Sequence, residues 1–332
     1  MKQYGPASRR AAHRPLQPQA AMIMPVDRPV HWYQGMLGRP EGVILLGASA
    51  ASLAVLATAA VGLATDPRLI TGSLAWLKPA KFAISITVYC ATLAWLLTLV
   101  RGRRRLVRAV AWATGGALTL ELALIVVQAV RGTASHYNIS TPFNAAVFQA
   151  MGVLLPAVFG AGVVAAALVT RQRGLPVVLA SGIRGGLLVC LLGMAEAALM
   201  LFNRAHTDAV TLGGHTVGGP DGGPGLPLTG WSTEHGDLRV AHFVGLHALQ
   251  VLPLLAWLLQ RYAPGLGTLT QRRLVRLSTV ASTGVVGLLT WQAQRGLPLL
   301  RPDTAVLSAA GLGALLAAVA AGVLITQREH TP

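Results

Sequence analysis

Apolar runs of about 20 residues recur eight times along this 332-residue chain. That recurrence limits its folding more than any single motif does. A helix needs about 20 such residues to cross a hydrocarbon slab, whereas a soluble core is served by amphipathic faces. Only 11% of the residues are charged, and they sit in short clusters between the runs. The runs predict spans near residues 43–64, 80–100, 109–130, 145–170, 183–203, 239–260, 274–294 and 304–326. The expected fold class is an all-α integral membrane protein of eight transmembrane helices, with the lipid bilayer as its surroundings.

The formal charge of +16 first suggests nucleic acid, but its distribution excludes that partner class. No basic domain interleaved with aromatics, zinc-finger spacing or recognition helix accompanies the arginines. With the N-terminus inside, nineteen of the 27 Lys and Arg residues fall on the cytoplasmic side. The other eight (Arg68, Lys78, Lys81, Arg131, Arg204, Arg239, Arg295 and Arg301) fall opposite. Because cytoplasmic loops of membrane proteins are enriched in Lys and Arg, both termini are expected in the cytoplasm of a multi-pass plasma-membrane protein. Residues 1–40 read as a basic cytoplasmic tail: they hold no apolar segment, so Ser8-Arg9-Arg10 lacks the run a twin-arginine signal requires. Cys90 and Cys190 fall inside spans and read as small core residues, not as a redox or metal pair.

Three segment pairs repeat in the same order, each joining span n to span n+4. Arg104-Arg105-Leu106-Val107-Arg108 matches Arg272-Arg273-Leu274-Val275-Arg276, and Gln128-Ala129-Val130-Arg131-Gly132 matches Gln292-Ala293-Gln294-Arg295-Gly296. Lys78-Pro79-Ala80-Lys81-Phe82 aligns with Arg239-Val240-Ala241-His242-Phe243, which makes Lys81 the counterpart of His242. The expected organisation is two parallel four-helix repeats, 41–173 and 183–329, with a long extracytoplasmic loop at 204–238. Basic residues at cytoplasmic helix ends are common enough to match by convergence, but the Gln-Ala-x-Arg-Gly pair lies at the other end.

Polar and ionisable side chains inside a bilayer cost about 2.5–3.5 kcal/mol each and mark functional interiors or interhelical locks. Here they are Glu121, Gln128, Glu196, His242, His247 and Gln250, all in the central or outer halves of their spans. Glu121 lies about 15 Å below Arg131 by helical rise, and His247 about 12 Å below Arg239. The reading is an outward-facing polar cavity with His247, Glu121 and Glu196 as catalytic candidates. Lys78, Lys81, Gln128, Arg131, His136, Asn138, Trp231, Asp237, Arg239, Gln292 and Arg295 would surround its mouth. The Gly/Pro-rich loop 204–238 ends in Trp231, His235, Asp237 and Arg239, a composition better suited to an ordered lid than to disorder.

His242, His235, His136 and Asp221 are of the right type to bind a divalent metal, although their spacing is not diagnostic. Haem is the other cofactor considered, although the only intramembrane histidines share one span. No HExxH pair, P-loop or GxSxG elbow is present, and no dinucleotide-binding glycine motif sits between strand and helix.

The segments KPAKFAIS, RGTASHYNISTPFN and GDLRVAHFVGLHALQVLP together resemble a bacterial family of uncharacterised polytopic membrane proteins. The resemblance covers most of residues 75–260 and implies a helical membrane fold; it brings no activity and no functional residues with it. Three functions remain open: redox or metal-assisted chemistry on a small or lipidic molecule, proton-coupled transport, and a sensor or structural subunit.

Overall fold

The computed structural model describes residues 35–203 and 210–327. Most of the expected basic tail lies outside them, as do Ser8-Arg9-Arg10, Arg204 and Arg328. The described residues hold eight helices long and apolar enough to cross a membrane. They are α1 (Pro40–Thr65), α2 (Leu77–Thr98), α3 (Arg104–Val130), α4 (Pro142–Thr170), α5 (Val177–Phe202), α6 (Leu238–Tyr262), α7 (Thr268–Gln294) and α8 (Thr304–Thr326). The chain is all-α and of multi-pass membrane type, as its apolar runs predict. The helices extend past several predicted starts: α3 begins at Arg104, not 109, and α7 at Thr268, not 274. Their first turns are polar, so hydropathy sees only the part that would meet lipid.

Local chemistry sets the other helix boundaries. Thr141, Asp237 and Asp303 each accept a backbone N–H at the starts of α4, α6 and α8, and Pro142 gives α4 a first residue that needs no donor. Gly132 and Gly296 follow α3 and α7 with φ of 72° and 74°, the left-handed conformation that turns a chain out of a helix.

Each half packs in the same pattern. α1 lies against α2 and α3, α2 against α3, and α3 against α4; α5 lies against α6 and α7, α6 against α7, and α7 against α8. α4 and α5 join the halves. The closest approach is between α5 and α6, where a Cβ on Gly193 would meet the Gly245 backbone at 2.7 Å. Such contact of small residues gives helices dispersion energy where lipid removes the hydrophobic drive. It also brings the Gly193 carbonyl to His242. α8 touches mainly α7 and buries only Val306.

The connections α1–α2, α3–α4, α5–α6 and α7–α8 gather at one end of the bundle, here the loop-rich end. Two small antiparallel pairs form there: β1 (Leu69–Ile70) with β2 (Ser73–Leu74), and β3 (Thr216–Val217) with β4 (Gly236–Asp237). Residues 210–237 form a cover. They pair with Asn138 through Thr211, cross the β1–β2 turn at Gly222, and lie against Ala293 in the last turn of α7 and Gly296 just beyond it. The opposite, arginine-rich end carries the α2–α3 and α4–α5 connections, tied by Arg101 N–H donating to Gln172.

Candidate functional site

Three elements converge under the cover. α2 supplies Lys78 and α3 supplies Glu121, while the α3–α4 connection carries Ser135 and His136 down to them. The Nε2 of His136 lies 3.3 Å from Glu121 Oε1. Its Nδ1 is 3.1 Å from Lys78 Nζ and 3.0 Å from Ser135 Oγ. With Lys78 as an ammonium, which has no lone pair, Nδ1 accepts from it and the ring proton sits on Nε2, facing the carboxylate. The Nε2–carboxylate contact is oblique, and neither Glu121 oxygen accepts an aligned hydrogen bond among the described residues. Glu121 is only 1% exposed, so its carboxylate is buried with a single close partner. Burial, then the Lys78 ammonium and the His215 imidazole, push His136 well below the ordinary histidine range.

The cover is pinned by cations from both halves. Lys81 donates to the Thr229 carbonyl at 2.5 Å, and Arg239 donates to the neighbouring Gly230 carbonyl at 2.7 Å. Arg239 also pairs with buried Asp237 at 2.6 Å, and Asp237 accepts from Ser232 N–H. Asp221 accepts from the N–H groups of His215 and Thr216 and lies 3.2 Å from the His215 ring. Burial, then Arg239, holds His215 down at about 3. His136 also meets the Phe82 ring at a tilt and the Tyr137 ring edge-on.

A second polar corner closes the end of α3. Buried Gln128 donates to Asn144 at 3.0 Å and accepts from Arg131 at 2.9 Å. Asn138 knots the connection by donating to Thr133 and Ala134. At the end of α7, buried Gln292 donates to the Pro298 carbonyl at 2.7 Å, while Arg295 pairs with Asp303 at 2.6 Å.

The expectation of one cavity lined by Glu121, Glu196, His242 and His247 is not met. Glu196 on α5 accepts from Thr290 on α7 at 2.5 Å. His242 reaches the Gly193 carbonyl at 2.7 Å. His247 belongs to an aromatic row with Phe243 and Trp231, its ring 4.3 Å from Phe243. The two carboxylates thus serve different halves, and Glu121 meets His136, which had been expected at the mouth. A cavity of about 550 Å³ lies at the arginine-rich end, lined by none of these residues.

The four expected metal donors are also separated: His136 is engaged with Glu121, Asp221 with the β3 backbone, His242 with α5, and His235 lies beside Gly219. Among the described residues no three His, Cys, Asp or Glu side chains are grouped as a metal site. Among the described residues the histidines within helices share α6, so no two facing helices both present one to haem. Sequence reasoning missed Ser135, Thr229 and Gly230. Ser135 was readable only as the neighbour of His136, and the other two act through backbone carbonyls, which leave no residue signature.

No family model, curated protein or solved structure matches the chain, so its own geometry carries the functional reading.

Proposed function

We propose that this protein performs acid–base chemistry on a small or lipidic molecule at the loop-rich end, using the chain Lys78–His136–Glu121. The observation that carries this reading is the Glu121 carboxylate, 1% exposed, with the His136 ring as its close partner. A buried carboxylate lacking aligned donors costs stability, and sites that tolerate such a cost are commonly functional. Lys78 can pass a proton to Nδ1 while Nε2 releases one to Glu121, so the chain moves a proton inward without moving a heavy atom far. Ser135 holds the ring from the Nδ1 side. Lys81 and Arg239 keep the cover over the group and water away from it.

The same reading places the loop-rich end outside the cell and both termini inside, on the nineteen-to-eight distribution of Lys and Arg. It treats 41–173 and 183–329 as copies of one four-helix unit, supported by the matched packing of the halves and the matched ends of α3 and α7. One-sided chemistry is favoured over transport because the buried polar groups at the arginine-rich end serve structure: Glu41 pairs with Arg104, and Gln271 donates to the Leu259 and Ala263 carbonyls.

Infrared difference spectroscopy across a pH titration of purified protein tests the proposal without a known substrate. A protonated-carboxyl band should vanish in Glu121→Gln and shift its titration in His136→Ala and Lys78→Met. A band that ignores the His136 and Lys78 substitutions would reject the chain.

A further inference from the structure

A groove of about 550 Å³ opens at the arginine-rich end, between the start of α1 and the outer face of α3. Its rim carries Arg39 and Arg108, and its walls are Leu37, Val43, Ile44 and Trp112. Arg108 and Trp112 stand one turn apart on α3, so they share a face. Trp112 is 65% exposed and Val43 53% exposed, surfaces that a bilayer would cover. Arg39 donates to the Thr98 carbonyl, which fixes its position. Neither Arg39 nor Arg108 meets a carboxylate among the described residues, since Glu41 is taken by Arg104.

We infer that this groove binds one anionic phospholipid, its headgroup phosphate between Arg39 and Arg108 and its acyl chains along Val43, Ile44 and Trp112. Basic pockets between transmembrane helices recognise headgroups in this way, and tryptophan prefers the interfacial depth this geometry requires. An apolar wall beneath two cations suits a phosphate with chains attached better than a free anion. The chain's own N-terminal residues fit poorly by charge: positions 1–34 hold Lys2, Arg9, Arg10, Arg14 and Arg28 against a single acid, Asp27. The inference is independent of the acid–base reading at the other end.

The test is native mass spectrometry of the full chain released from nanodiscs of phosphatidylcholine with or without phosphatidylglycerol. Wild type should retain one phosphatidylglycerol and no phosphatidylcholine. Arg108→Gln should weaken retention about fivefold, the effect of one basic residue at an anionic surface. Arg261→Gln removes a cation at the C-terminal end of α6, outside the groove, and should leave retention unchanged. Equal retention of both lipids, or equal loss in Arg108→Gln and Arg261→Gln, would overturn the site in favour of diffuse charge. Retention that survives Arg108→Gln but is lost on deleting residues 1–34 would assign the lipid to the N-terminal segment and also overturn it.

Discussion

The ends of α3 and α7 are built to one plan, and the chain treats them differently. Each ends in a buried glutamine, an arginine three residues on, and a left-handed glycine after that, and each glutamine side chain turns back toward the connection that follows. At α7 the polar groups are then satisfied: Gln292 meets two backbone carbonyls and Arg295 meets Asp303. At α3 the connection descends further, and His136 reaches a carboxylate nine residues inside the helix end, about 13 Å by helical rise. The lesson is that the shared corner is scaffold. What the first half adds to it is the His136–Glu121 contact on which the proposed acid–base reading rests.

The comparison breaks most easily at the glutamines. Gln128 is fully buried, donates to buried Asn144 and accepts from the Arg131 guanidinium, so Gln128→Ala empties a core position and removes a charge-assisted bond together with one of the two donors to Asn144 Oδ1. Its expected cost is about 2–3 kcal/mol of stability, against about 1–2 kcal/mol for Gln292→Ala, which releases only backbone carbonyls. Denaturant unfolding of the two variants in detergent measures the ratio. Equal costs would mean that the corners are equivalent supports, and the asymmetry drawn here would fail.

The fold was legible because its determinants are local and additive: apolar runs long enough to span, and arginines between them. Helical rise also converts sequence number to distance along a helix, which is how the sequence sets Glu121 about 15 Å from Arg131. What could not be read was the path of the connections. His136 was expected at a mouth because nothing in RGTASHYN encodes a descent between helices; that path depends on α2, α3 and the cover packing together. The separation of His242 and Asp221 has the same origin, because each is held by a backbone group its sequence neighbours do not reveal.

Acid should separate the two corners. His136 and His215 are held below the usual histidine range, so the folded state keeps them neutral while the unfolded chain binds protons below about pH 6.5. Their contribution is whole above that pH and is lost as pH falls from about 6.5 toward about 3, where His215 itself titrates. The slope approaches about 1.4 kcal/mol per pH unit for each histidine. Asp303 behaves oppositely in range: backbone N–H groups and Arg295 hold it below the ordinary carboxylate value, so its support survives until pH drops below about 3.8. Hydrogen exchange at pH 5 should accelerate in residues 131–141 and 210–221 while 295–303 stays protected. Loosening of 295–303 first would reverse the assignment.

The smallest effect gives the finest contrast, between the two intramembrane carboxylates. Glu196 accepts a short hydrogen bond from Thr290, so Glu196→Gln exchanges a charge-assisted bond for a neutral one and should lower stability by about 0.5–1 kcal/mol. Glu121 accepts no aligned bond, so Glu121→Gln removes a buried charge, keeps an acceptor for His136 Nε2–H, and should raise stability by about 1 kcal/mol. Opposite signs for one chemical change distinguish a carboxylate kept for structure from one kept at a cost. Thermal unfolding of both variants reads the sign directly. If Glu121→Gln melts lower than wild type, Glu121 is an interhelical lock like Glu196, and the proton chain through His136 loses its terminus.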